Sequence, residues 1–251
     1  MLGTIFRSML VTSIKDKITL FYSLLLPVLL IIGLGLYMDV AYHQTLLFGT
    51  LAISTLFWGL SGIAFQVHQQ RSQGVYKLIR LTPFPTFAFI LIVAGSRTVL
   101  GILINITVYV FGALFLKQAF SLSGIVGLLL VLAIGTLCFS CLGFFISNVS
   151  KNEGQISMFS NLLFIPIIFA SEVFYSLQGA PQWIYVIGQL FPMNSFMQSL
   201  YQSQYGLGML APLGLLMIFT CIWAVLALLT FRWDDRTYLF ISMIKGRKQT
   251  L

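Results

Sequence analysis

The sequence predicts an all-α membrane protein with about six transmembrane helices, an N-terminal interfacial amphipathic helix and short external re-entrant helices between spans five and six. Hydrophobic residues make up 59% of the chain and charged residues 8%, whereas a soluble domain is about half apolar and about a quarter charged. That leaves too little polar surface to cover a globule, so lipid must solvate much of the exterior. The apolar residues also cluster in runs of about twenty, the length of helix that crosses about 30 Å of hydrocarbon. Lys and Arg fall between these runs, as membrane orientation requires. The net charge of +8 therefore belongs to topology. The bases form no stripe interleaved with aromatics of the kind that binds nucleic acid.

Taken in order, residues 1–17 place Leu2, Ile5, Phe6, Met9, Leu10 and Ile14 on one helical face, with Arg7, Ser8, Lys15 and Asp16 elsewhere. This spacing predicts a helix lying on the membrane, its bases toward lipid phosphates. Spans follow at residues 19–38, 46–65, 98–116, 124–146, 154–171 and 209–231, in a single transmembrane domain covering 1–251. The first is longer than a signal-peptide core and no A-x-A follows it, so it is expected to stay uncleaved. Pro27 and Pro166 fall inside spans, where neighbouring helices satisfy the backbone groups they free.

With both termini cytoplasmic, Arg7, Lys15, Lys17, Arg71, Lys77, Arg80, Lys151 and the tail bases Arg232, Arg236, Lys245, Arg247 and Lys248 all lie inside. Arg97 sits at the inner mouth of the third span, and Lys117 alone is outside. Two connections are long. Residues 66–96 are basic up to Arg80 and apolar from Phe84 to Ala94. Residues 172–208 contain no Lys or Arg. Their stretches 183–190 and 196–205, separated by Phe191-Pro192, are too short to span and too apolar to float free. They are expected to dip into the outer leaflet, with Trp183, Tyr185, Tyr201 and Tyr205 at headgroup depth.

Catalytic and metal chemistry find little support. Cys138, Cys141 and Cys221 all lie in apolar runs and provide no disulfide framework, and the C-x-x-C at 138–141 has no second ligand pair nearby. Gly59-Leu-Ser61-Gly62 matches the G-x-S-G around the serine of intramembrane proteases. His43 and His68 lie in connections on opposite sides of the membrane, out of reach as its base and solvated rather than metal-binding. Gly59, Ser61 and Gly62 are expected to allow close helix packing. No G-x-x-x-x-G-K-[ST] occurs to cradle phosphates, and Gly246-Arg-Lys248 is not one. The interior holds almost no ionisable groups, unlike that of ion-coupled carriers. Only the amides of Asn105, Gln155 and Asn161 fall within spans.

Residues 161–171, Asn161-Leu-Leu-Phe-Ile-Pro166-Ile-Ile-Phe-Ala-Ser171, are followed by Val173-Phe-Tyr, then Ala180-Pro181-Gln-Trp183-Ile and Leu190-Phe-Pro192-Met-Asn-Ser. This order resembles the late segment of the ABC-2 type permeases, membrane subunits of ABC exporters, with its proline-bearing fifth helix, P-x-W loop and hydrophobic-P-hydrophobic corner. Residues 69–83, Gln69-Gln-Arg-Ser-Gln-Gly74-Val-Tyr-Lys-Leu78-Ile-Arg80-Leu-Thr82-Pro83, are similar to that family's cytoplasmic loop between helices two and three. The chain differs from the common pattern at Gln70, where a glutamate is usual, and at Glu172, where a small residue is usual.

The resemblance implies that residues 69–82 form a cytoplasmic coupling helix docking on an ATPase through Arg71, Gly74, Tyr76, Lys77, Leu78 and Arg80. It implies a pathway along helices two and five, with Ser54, Thr55, Phe57, Phe159 and Asn161, and an external re-entrant loop carrying Glu172, Pro181, Trp183 and Pro192. The chain itself binds no cofactor. ATP and magnesium belong to a separate ATPase present as two copies or two domains, and a second permease copy or related permease completes the complex in a plasma membrane, bacterial in source. The expected function is export of an apolar or amphiphilic cargo by alternating access. The alternatives are a membrane scaffold or assembly factor and an intramembrane hydrolase.

Overall fold

The computed structural model describes residues 2–76, 85–118, 122–173, 182–203 and 207–231, and among them every regular element is helical. Helix α1, Leu2–Lys15, ends at Asp16, whose carboxylate caps α2, Lys17–Gly35, by accepting from the Thr19 amide at 3.2 Å. A 3-10 turn at Val40–Tyr42 then leads into α3, His43–Leu56. This helix widens into a π-helical segment, Phe57–Gly62, and continues as α4, Ile63–Ser72.

Helix α5 runs from Thr86 to Phe115 and α6 from Leu122 to Val149. Asn152 caps α7, Glu153–Phe169, by accepting from the Gln155 amide at 2.8 Å. Two short helices follow, α8 at Gln182–Gln189 and α9 at Pro192–Gln202, the latter opening on a proline that needs no amide partner there. Helix α10 covers Leu210–Leu229.

Among the described residues, five helical stretches are long and apolar enough to cross a membrane: Lys17–Gly35, Val40–Ser72, Phe87–Phe115, Gly124–Val149 and Leu210–Leu229. Helix α7 has 17 residues, a rise of about 25 Å at the lower limit of a crossing. The apolar core of the Val40–Ser72 stretch is almost wholly enclosed, whereas α2 and α10 leave most of their side chains facing outward. The protein is thus organised around the second span, with Phe48, Leu51 and Leu56 packed against Leu132 and Phe139 of α6 and Phe196 of α9.

Glycine permits the closest approach in this core. A Cβ on Gly143 of α6 would collide with the carbonyl oxygen of Leu60, and one on Gly59 would lie 2.8 Å from the Phe139 Cβ. The π segment and α6 therefore touch backbone to backbone, as small residues allow in membranes.

Two expectations are corrected. The apolar residues 84–94, taken as part of a connection, include the first turns of α5. Pro85 is extended and starts the helix, and Phe89, Ile90, Val93 and Ala94 recur on one buried face. Helix α4 likewise carries the second span on to Ser72, so His68, expected in solvent, is buried within it. Arg97, expected at the inner mouth of the third span, lies within α5 with no exposed surface.

Helix α1 docks on α5 through Phe6 and Met9, and Val11 and Ile14 face outward. Short helices do occupy the connection between α7 and α10, bounded at Gln182–Gln189 and Pro192–Gln202. Lys117, the lone base at the opposite end, has φ 53°. It sits in a Schellman turn, with Gln118 donating to the Ala113 carbonyl at 2.9 Å.

Candidate functional site at the basic end of the bundle

The end of the bundle bearing Lys15, Lys17 and Arg71 carries the polar chemistry of the interior. The first joint there starts from Arg71, whose aliphatic stem leaves the last turn of α4 and buries its guanidinium against the end of α6. Nη1 donates to the Ser147 carbonyl at 3.1 Å and Nη2 to Asn148 Oδ1. Accepting from Arg71 fixes the amide orientation of Asn148, which turns its Nδ2 to the Ala227 carbonyl of α10 at 3.0 Å. One side chain therefore ties the ends of α4, α6 and α10 together.

An aromatic cluster lies beside it. Gly74, at φ +77°, adopts the left-handed conformation that glycine takes without strain, and its amide bonds the Arg71 carbonyl at 3.0 Å. The chain turns there and delivers Tyr76 into the interior with no exposed surface. The Tyr76 ring stands edge-on to Phe89 of α5 at 4.9 Å and stacks on Phe231, just after α10, at 6.2 Å. Phe231 also meets Phe144 of α6 at 5.9 Å. Edge-to-face and offset aromatic pairs each add about 0.5–1.5 kcal/mol beyond burial. The Tyr76 hydroxyl contributes less, since its hydrogen bond to Gln70 Oε1 is long at 3.4 Å.

A second joint lies at the α1–α2 corner. Arg97 of α5 donates from Nη2 to Asp16 at 3.0 Å and to the Gly62 carbonyl at 2.6 Å. Its guanidinium carbon lies 4.3 Å from the centre of the Trp58 ring, and the Trp58 indole donates to the Arg97 carbonyl at 2.9 Å. A buried guanidinium is costly alone, and here an ion pair, a carbonyl and a π face offset its lost hydration. The π segment provides two of these partners, Trp58 and Gly62.

The sequence-predicted residues separate into groups. Arg71, Gly74 and Tyr76 meet at the first joint, with Arg71 and Tyr76 buried within the chain. Lys77, Leu78 and Arg80 lie outside the described residues. Ser54 and Thr55 are enclosed, Ser54 donating across to the Ser23 carbonyl of α2 at 2.8 Å and Thr55 to its own Leu51 carbonyl at 2.8 Å. Phe57 bridges two outward-facing helices through Tyr22 of α2 at 5.8 Å and Phe164 of α7 at 6.1 Å. Phe159 is half-buried, and Asn161 is exposed on α7. Glu172 is half-buried, Trp183 exposed on α8 and Pro192 buried at the start of α9; Pro181 lies outside the described residues.

No hydrogen bond links Ser61 to either histidine among the described residues, and His43 Nε2 instead meets the Met38 carbonyl at 3.3 Å. The sequence reading missed Asp16, Trp58, Phe89, Asn148 and Phe231. Asn148 had a visible signal, the Ser-Asn-Val-Ser run that ends the fourth apolar segment. The aromatic partners had none, because phenylalanine is abundant throughout.

The match to a known family agrees with this architecture. No curated protein matches the chain significantly. The model of the ABC-2 type transporter family matches residues 2–205, from the interfacial helix through the short helices after α7. That stretch includes the elements that form both joints, except α10 and Phe231. The chain belongs to the ABC-2 type transporter family, as a membrane component of transport rather than its catalyst.

Proposed function

We propose that this chain is the permease subunit of an ATP-binding cassette exporter, with the basic end in the cytoplasm and the 73–85 connection as the surface on which a separate ATPase pushes. The observation that carries the reading is the rooting of that connection. On one side it leaves α4 beside Arg71 and buries Tyr76; on the other it enters α5, whose Phe89 packs on the same Tyr76 ring. Asn148 and Phe231 extend the contact to α6 and α10. Displacing the connection therefore moves four membrane helices as a unit, which is what alternating access requires of a subunit that hydrolyses nothing itself.

Closure of two ATPase domains, each holding ATP and magnesium, supplies the displacement, and a second permease copy or related permease completes the pathway. Facing surfaces of α2 and α7, bridged by Phe57, are apolar with few charges, which suits an apolar or amphiphilic cargo.

The test uses the permease purified with its ATPase. Tyr76→Ala removes the ring that joins the connection to α5 and α10, at a cost of about 3–5 kcal/mol to local packing, and is expected to abolish stimulation of ATP hydrolysis by the permease. Tyr76→Phe keeps the ring and loses only the long hydroxyl bond, so stimulation stays within about twofold of wild type. Equal stimulation in Tyr76→Ala would exclude this route of coupling.

A further inference from the structure

A cavity of about 500 Å³ opens between the α1–α2 corner and α4, beside both joints and sharing Asp16 with the second. Lys15, Asp16 and Lys17 form one wall, and Gln66, Gln69, Gln70 and Gln73 form the other. Their spacing puts the four glutamines on one face of α4. Four amides turned toward a membrane-lying helix call for an explanation, and their hydrogen bonds give it a direction.

Gln66 and Gln70 are 4% and 5% exposed. Gln66 Oε1 accepts from the Ser13 hydroxyl at 3.0 Å, but its Nε2 has no hydrogen-bond partner among the described residues. Gln70 Oε1 accepts from Tyr76, and its Nε2 meets only the Met9 sulfur at 3.4 Å, a weak acceptor. Each buried amide already accepts through its oxygen, and among the described residues neither donor has an oxygen partner. The charge points the same way. Asp16 is engaged by Arg97 and by the Thr19 amide, so the two lysines dominate the field of the cavity. What the site lacks is an anionic oxygen acceptor.

We infer that this cavity binds a phosphate group, held by the charges of Lys15 and Lys17 and by the amide donors of Gln66 and Gln70. The rim suits a phosphate that carries hydrocarbon. Ile18, part of the lining, is 74% exposed, and Phe21, one turn on along α2, is 55% exposed. An acidic phospholipid could place its headgroup in the cavity and its acyl chains over these side chains. The inference does not depend on the transport reading, because it concerns how the interfacial helix is held to α4.

The full-length chain, purified in detergent, is offered phosphatidylglycerol, phosphatidylcholine or inorganic phosphate. Bound lipid is read by native mass spectrometry, and stability by the shift in Tm. Wild type is expected to retain phosphatidylglycerol in clear preference to phosphatidylcholine. Lys15→Gln with Lys17→Gln lowers that retention by about fivefold per lysine. Gln70→Met, which removes the donor and keeps the packing against Met9, also weakens it.

Arg7→Gln, an exposed change elsewhere on α1, leaves the preference intact and controls for general attraction of the helix to anionic lipid. Both lysines are exposed, so the double variant keeps its wild-type Tm in phosphatidylcholine. Stabilisation by inorganic phosphate equal to that by phosphatidylglycerol assigns the site to the phosphate alone and still supports the inference. Equal retention of the two lipids with no effect of inorganic phosphate overturns it, as does an undiminished phosphatidylglycerol preference in the double variant.

Discussion

Arg97 shows how one side chain can fix a corner of a membrane protein. Its guanidinium has no exposed surface, and Asp16, its partner across 3.0 Å, is 25% exposed. Removing one member of such a pair leaves a charge or a carbonyl in the interior without compensation, a loss of about 3–5 kcal/mol when both partners are enclosed. Asp16 keeps some water, which reduces the figure on its side. Asp16→Asn is therefore expected to cost about 1–3 kcal/mol, and Arg97→Met more, in thermal unfolding of the purified chain. The double variant should be less destabilised than the sum of the two, since each single change strands the other residue. Strict additivity would show that the ion pair holds nothing together. Arg97 was legible in sequence only as a topological marker. Its burial was not, because the helix that encloses it begins at Thr86, well before the apolar run that hydropathy picks out.

At the scale of elements, the π segment Phe57–Gly62 is the feature with the widest consequences. It interrupts the second span at its centre, aligns Trp58 and Gly62 with Arg97, and presses Gly59 against α6. A methyl group at Gly143 would be driven into the Leu60 carbonyl, so Gly143→Ala is expected to destabilise by about 1–3 kcal/mol through overpacking. Alanine favours helix over glycine by about 1 kcal/mol, so a stabilising effect on the chain's unfolding would contradict this contact. Sequence spacing identified Gly59, Ser61 and Gly62 as packing residues, and the contacts of Gly59 agree. It could not reveal the π turn, because no residue type marks a change from one helical pitch to another. The bounds of α2, α6 and α10 were readable because each is a long apolar run ended by polar or small residues. The apolar start of α5 was counted with the long connection 66–96, whereas Pro85 begins a helix there.

For the whole molecule, the arrangement is asymmetric from end to end. The basic end holds both arginine joints, the glutamine-lined cavity and the aromatic root of the 73–85 connection. The opposite end holds Lys117, Glu172 and the short helices α8 and α9. Compositional bias foretold that Lys15, Lys17 and Arg71 share an end, because Lys and Arg sort across membranes. It did not foretell that Arg71 and Tyr76 would be internal, since both were read as contact residues on a loop. Under the proposed function, their burial suits them to passing on an ATPase's motion rather than touching it.

The proposed function requires the basic end to face the cytoplasm and receive the ATPase. Gln73 is exposed there, next to Gly74. The most direct measurement places a single reactive thiol by Gln73→Cys in a Cys221→Ala background, leaving Cys138 and Cys141 buried, and follows its labelling by a membrane-impermeant maleimide. The account predicts rapid labelling in inside-out vesicles, little in intact cells, and protection when the partner ATPase is bound. Labelling from the external medium, or labelling that the ATPase leaves unchanged, would contradict it.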